Sequence, residues 1–140
     1  EAQFTITQIR DVAPSPDGKQ LAFTALNELY LMDLPNGTPK KLLDLDETQA
    51  EPAWSPDGQW IAFVTWQADG GKVYKVRPNG SNLTQLNKAN GVFQSPAWNN
   101  DGSRIVLIKG QAEDFRNGLQ RTASRATSDL SWLYADVSSN

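Results

Sequence analysis

The sequence predicts an all-β chain built from about three copies of one four-stranded unit. Two observations carry that reading. A tight-turn signature, Asp-Gly with polar or proline residues before it, recurs at Asp17-Gly18, Asp57-Gly58 and Asp101-Gly102. Around each turn lie short runs of small, aromatic and β-branched residues of strand length, the composition of buried strands.

The best copy is Pro52-Ala53-Trp54-Ser55-Pro56-Asp57-Gly58-Gln59-Trp60-Ile61-Ala62-Phe63. Pro56 presets φ for the second position of a type I turn. Asp57 can bond its own backbone, and Gly58 supplies the left-handed residue that re-enters the next strand. Upstream, Val12-Ala13-Pro14-Ser15-Pro16-Asp17-Gly18 leads into Leu21-Ala22-Phe23. Downstream, Pro96-Ala97-Trp98-Asn99-Asn100-Asp101-Gly102 leads into Ile105-Val106-Leu107. The turn aspartates are spaced by 40 and 44 residues, the period of four-stranded propeller blades. The second half of the unit recurs as well. Leu29-Tyr30-Leu31-Met32-Asp33-Leu34-Pro35-Asn36-Gly37 matches Val73-Tyr74-Lys75-Val76-Arg77-Pro78-Asn79-Gly80, and each is followed by a short strand ending in Leu42 or Leu86.

With these residues in view, the units resemble the WD40-like (PD40) repeats of TolB-type β-propellers, whose pattern runs PAWSPDG, IAF, IYVMDLDG, LT. The likeness covers nearly the whole chain. The opening stretch, Ile9-Arg10-Asp11-Val12 running into Ser15-Pro16-Asp17-Gly18, is also similar to TolB-like propellers fused ahead of amidohydrolases. Two departures stand out: Pro14 occupies the place of Trp54 and Trp98, and Asn100 that of Pro16 and Pro56.

The elements follow in order. The first unit places strands near 10–15, 19–26, 28–34 and 39–43, and the second near 51–55, 59–66, 72–77 and 82–86. The third gives strands near 94–99 and 103–109. Blade repeats then span about 10–50, 51–93 and 94–140 of a single propeller segment, residues 1–140. Asp44 to Ala50 is a polar, acidic connection. Residues 110–129 interrupt the period with little apolar content and three arginines. The run Leu130 to Val137 then corresponds to Leu29 through Leu34, with Asp136 at the place of Asp33. Residues 3–9 read as a half-exposed strand left over to complete another blade.

Three blades do not close a ring. Either the chain belongs to a longer propeller, as a first residue of Glu1 rather than Met allows, or copies associate. Two copies would make the six blades of the TolB-like family, which gives the expectation of a homodimer, each chain half of a six-bladed ring.

Composition limits function. A net charge of −3 is no footprint for nucleic acid, and no apolar run approaches the ~20 residues of a membrane span. With no histidine and no cysteine, the serine–histidine and cysteine–histidine catalytic arrangements and the imidazole and thiolate metal ligands are gone. The expectation is therefore no catalytic residue, no cofactor and no metal in this chain. The acidic run Asp44-Leu45-Asp46-Glu47 lacks the spacing of a calcium loop.

Asp17, Asp57 and Asp101 read as turn residues, and Trp54 and Trp98 as packing between blades. Asp11 and Glu51 stand ahead of the inner strand at matching points of two blades, and Ser95 holds the third. Inner strands line a propeller's channel, so these three are candidate channel-rim binding residues, two carboxylates and a hydroxyl that would attract cations or basic peptide segments. Arg116, Arg121 and Arg125 mark a candidate recognition loop.

The expected function is a non-catalytic scaffold that binds a protein or peptide partner at loops on one face. The alternative is the propeller portion of a larger hydrolase, of amidohydrolase or oligopeptidase type, that gates or presents substrate. A periplasmic or otherwise extracytoplasmic location is what the TolB resemblance implies.

Overall fold

In the computed structural model the described residues are 8–68, 70–110 and 129–140. They form three antiparallel sheets, each wound in chain order. Blade 1 contains β1 (Ile9–Pro14), β2 (Gln20–Ala25), β3 (Glu28–Asp33) and β4 (Lys40–Lys41). Blade 2 contains β5 (Thr48–Trp54), β6 (Ile61–Trp66), β7 (Lys72–Val76) and β8 (Thr84–Gln85). Blade 3 contains β9 (Val92–Trp98), β10 (Arg104–Gly110) and β11 (Asp129–Tyr134). A short 3-10 turn, Val137–Ser139, follows β11.

The turns form as their residues dictate. In blade 2 the Gly58 N–H donates to the Ser55 carbonyl at 2.9 Å, and the Ser55 N–H to the Trp60 carbonyl at 2.8 Å. The Ser55 hydroxyl donates to Asp57 Oδ1 at 2.7 Å, and the same oxygen accepts the Gln59 N–H at 3.0 Å. Blade 1 repeats this with Ser15, Asp17 and Lys19. In blade 3 Asn99 replaces the serine; its Oδ1 takes the Arg104 N–H, and Asp101 holds Ser103. The turn aspartates are thus absorbed by local structure.

Gly18, Gly58 and Gly102 all have φ between 72° and 76°. A Cβ on Gly58 would meet only Pro16 Cδ, at 3.8 Å, so there is room for it and only the backbone resists it. Gly58→Ala is therefore expected to cost on the order of 1 kcal/mol. Urea midpoints of Gly58→Ala and Gln59→Ala check this, and equal midpoints would refute the turn as the source.

Packing occurs between blades, face to face. Ala22, Leu29 and Leu43 of the first unit bury against Ile61, Phe63, Tyr74 and Val76 of blade 2. The opposite face of blade 2, with Ala50, Ala62, Val64, Val73 and Leu86, buries against Phe93, Ile105 and Leu107 of blade 3. Alternation along β6 explains how one strand feeds both interfaces: successive side chains point to opposite faces.

The structure corrects two expectations. Asp11 and Glu51 do not precede the inner strands; they lie inside β1 and β5, as Ser95 lies inside β9. At these points the pairing register shifts, between Arg10 and Ala13, between Ala50 and Ala53, and opposite Val106 and Ile108 in blade 3. Asp11, Glu51 and Ser95 have φ of 55°, 56° and 56°. Each inner strand therefore carries a bulge built on a left-handed non-glycine residue, and β5 and β9 start earlier than composition suggests. Second, Asp136 does not stand at the place of Asp33. Asp33 pairs with Gln20, and the equivalent rung in blade 3 joins Arg104 to Tyr134. Asp136 lies two residues further on, where its Oδ1 caps the 3-10 turn by accepting from Ser138.

Candidate functional site

The three rim residues form a connected row. Asp11 Oδ2 accepts the Glu51 N–H at 3.2 Å and the Thr24 hydroxyl at 3.0 Å. Glu51 Oε1 accepts the Ser95 N–H at 3.2 Å, and Oε2 lies 3.4 Å from the Ser95 hydroxyl, which donates to it. The left-handed bulge is the cause: it turns one N–H out of the strand ladder and toward the preceding blade, where a side-chain oxygen receives it. Blades 2 and 3 thus each pass a hydrogen bond back to the preceding blade.

A second row runs beside the first. The Trp54 indole N–H donates to the Ala13 carbonyl at 2.8 Å, and that of Trp98 donates to the Ala53 carbonyl at 2.9 Å. These tryptophans do more than fill space between blades; each indole is satisfied by the inner strand behind it. Pro14, at the matching point of blade 1, has no such donor.

A groove of about 530 Å³ opens between blades 2 and 3, on the side of the Asp-Gly turns. Trp60, Lys75, Trp98 and Tyr134 line it together with Asp57, Asp101 and Asp136. Lys75 Nζ and the Arg77 guanidinium each sit 4.0 Å from the centre of the Trp60 ring, a cation–π arrangement that holds the indole in place. Burial pushes the Lys75 ammonium below its ordinary value, and the Asp136 carboxylate works the other way. The three carboxyls are held below the usual carboxylate range. For Asp57 the leading cause is the Ser55 hydroxyl, for Asp101 the Ser103 hydroxyl, and for Asp136 the Ser138 hydroxyl. At neutral pH the groove presents an aromatic floor with three anionic edges and one cation.

Asp17 is also lowered, first by the Lys19 N–H and then by Ser15. Folded values below the unfolded carboxylate value of about 3.9 mean that these groups stabilise the fold above it and lose that contribution as the pH falls through their folded values. The urea midpoint is therefore expected to drop as the pH is lowered from 5 to 3, and Asp57→Asn to make the drop shallower. An unchanged slope in the variant would show that the Asp57 turn does not contribute.

The connection between blades 1 and 2 holds residues that composition does not reveal. Gln49 is buried. Its Oε1 accepts the Leu29 N–H at 2.9 Å, and its Nε2 donates to the carbonyls of Leu45 and Glu47. Glu47 pairs with Lys72 at 3.2 Å and accepts the Tyr74 hydroxyl at 3.0 Å. Burial first, and then this bond, raise Tyr74 above the ordinary phenol value. No group of three or more metal-ligating side chains gathers among the described residues. Arg116, Arg121 and Arg125 lie outside the described residues.

The TolB beta propeller domain model (PD40) matches residues 6–139. A dipeptidyl-peptidase 5 of Porphyromonas endodontalis is 23% identical over 151 residues, covering 97% of this chain and 22% of that protein. A TolB homolog of Chlorobium luteolum is 32% identical over 123 residues, covering 79% of this chain and 26% of that protein. A solved TolB-type structure from Agrobacterium tumefaciens superposes with a TM-score of 0.75 at 21% identity, over 92% of this chain and 46% of that one. The chain thus spans from about a fifth to about half the length of these relatives. Three successive blades, Asp-Gly turns at blade period and a family match over nearly the whole sequence lead to one conclusion: the chain belongs to the TolB β-propeller family.

Proposed function

We propose that this chain is a non-catalytic propeller scaffold that binds an extended protein or peptide segment in the groove between blades 2 and 3. The observation that carries the reading is the groove's lining. Its aromatic surface, from Trp60 and Trp98, suits apolar side chains, and Asp57, Asp101 and Asp136 suit basic ones. Its volume, about 530 Å³, is that of a site for a few residues. The same carboxylates do not support catalysis, because each is engaged in its own turn. The rim row of Asp11, Glu51 and Ser95 offers a second anionic contact for a basic partner.

The alternative, a propeller that presents substrate to a hydrolase, is favoured by the likeness to a dipeptidyl-peptidase over 97% of this chain. It uses the same groove, with a peptide substrate as the occupant. An extracytoplasmic setting, where TolB-type propellers would meet such partners, goes with either reading.

Selection of a displayed random peptide library against the intact chain tests the groove. The expected result is enrichment of sequences combining Lys or Arg with aromatic or aliphatic residues, with at least tenfold weaker binding to Trp60→Ala and Asp136→Ala. No enrichment, or binding indifferent to both substitutions, would overturn the assignment.

A further inference from the structure

A second groove follows the junction of blades 1 and 2, on the same side as the Asp-Gly turns. We infer that it is a binding site for a neutral oligosaccharide. Trp60 and Asp136, which carry the peptide groove, do not line it, so the two readings are tested through different residues.

Two cavities make up the groove. The inner one, about 380 Å³, lies between the Asp17-Gly18 and Asp57-Gly58 turns, with Trp54 on its wall. The outer one, about 700 Å³, lies between the β3–β4 turn of blade 1 and the β7–β8 turn of blade 2. Gln20 lines both, so they adjoin there. Both volumes are those of small-ligand sites.

The pairing registers show how this groove differs from the one between blades 2 and 3. Gln20 and Trp60 each stand two residues after the turn glycine, so the ring of one junction is a carboxamide at the other. Leu31 pairs with Ala22 as Lys75 pairs with Ala62, so an ammonium gives way to an aliphatic side chain. On the far wall Asn79 takes the place of Asp136. Each stands three residues beyond the partner of Ile61 or Ile105. Asn79 Oδ1 accepts the Ser81 N–H at 3.0 Å and its hydroxyl at 2.6 Å. Asp136 Oδ1 accepts the same two groups of Ser138, at 3.1 and 2.8 Å. The local frame is the same, and the charge is gone.

What stays open is a mixed set of donors and acceptors, each held in place by its own scaffold. Asp17 and Asp57 spend Oδ1 on their turns, and Asp33 Oδ1 accepts the Gln20 carboxamide at 3.0 Å. Their Oδ2 atoms have no hydrogen-bond partner among the described residues. The Asn79 Nδ2 group is open in the same way, and Asn36, Thr38 and Lys40 add donors along the outer half. A hydroxyl both donates and accepts, so a ligand rich in hydroxyls uses both sets at once. Leu42 and Pro78 supply apolar patches for its C–H faces, and Trp54 an indole at the inner end. A basic peptide is the rival occupant. It answers the carboxylates, but it leaves the carboxamides unused and meets the Lys40 ammonium, which has no ion-pair partner among the described residues.

Isothermal titration calorimetry of the intact chain with maltotetraose, cellotetraose, laminaritetraose and chitotetraose tests the site. At least one is expected to bind with a Kd below about 1 mM. Gln20→Trp rebuilds the ring of the other groove at the point where the two cavities adjoin, and is expected to weaken that binding at least tenfold. Asn79→Asp keeps the acceptor for Ser81 and removes the open donor, and at least fivefold weaker binding is expected. Urea midpoints show whether each variant folds as the parent does; should Gln20→Trp fail to fold, Asn79→Asp decides alone. Absence of binding by all four saccharides overturns the inference, as does binding indifferent to either folded variant. Hexalysine bound in place of the saccharides overturns it too, since a basic segment is then the occupant.

Discussion

Phe63→Ala is expected to destabilise the chain by about 3–5 kcal/mol. Phe63 is fully buried in the middle of β6, where its ring stacks on Tyr74 with centres 5.4 Å apart. It reaches from blade 2 into the layer formed with Ala22, Leu29 and Leu43. Truncation removes the transfer energy of the ring and leaves a cavity at the one surface where blades 1 and 2 meet. Backbone hydrogen bonds hold the two walls of that cavity as separate sheets, so neither can collapse to fill it. Urea unfolding followed by circular dichroism checks the value. A loss below about 1.5 kcal/mol would mean that the two blades are not coupled through this layer. Phe63→Leu, which retains most of the volume, should lose less than half as much.

The second large effect is expected at Gln49. Gln49→Leu keeps the volume and raises the apolarity, which at an ordinary core position is tolerated. Here it removes the acceptor of the Leu29 N–H and the donor to the Leu45 and Glu47 carbonyls. Each buried backbone group left without a partner costs about 1–3 kcal/mol. A loss of about 3 kcal/mol is expected, because the two carbonyls lie nearer the surface than the N–H and recover part of their bonding from water. Gln94→Leu, at an exposed position of β9, serves as the control and should stay within about 0.5 kcal/mol. Equal midpoints for the two variants would remove Gln49 as the pin of the connection.

The contrast between these residues shows what was legible in the sequence. Phe63 stands in a run, Ile61-Ala62-Phe63-Val64, that declares a buried strand, and the Asp-Gly turn before it fixes where the strand begins. Turns of this kind are written in three or four adjacent residues, so they read directly. Gln49 sits among Asp44, Asp46, Glu47 and Thr48, and a glutamine among acids looks like solvated loop; its burial comes from the winding of the chain between two sheets, which no local pattern encodes. The bulges were hidden for a related reason. Asp11, Glu51 and Ser95 share no side-chain type, because what they share is a backbone conformation and an N–H aimed at the neighbouring blade. Their one signal was positional, a fixed distance ahead of each turn, and it located the residues without revealing the bulge. The register of β11 differs from the sequence expectation because an aspartate before a turn does not mark the same rung on both sides of a long interruption. Pairing with β10 shows that the rung belongs to Tyr134.

The left-handed bulges give the stack a direction. In the two rows of the inner strands, carboxylate to N–H and carbonyl to indole, the donor is on the later blade and the acceptor on the earlier one, whereas the Leu29 N–H and the Trp66 indole donate the other way, to Gln49 and to the Phe93 carbonyl. Blades joined in this way behave as a one-dimensional array of nearest neighbours, in which a break at one junction is felt by adjoining units and fades beyond them. Blade 2 has a neighbour on either side and is the stiff centre of the array. Leu130 and Trp132 of β11 are 80% and 47% exposed, so opening of this chain is expected to begin at that strand and travel backward, one junction at a time, toward blade 1.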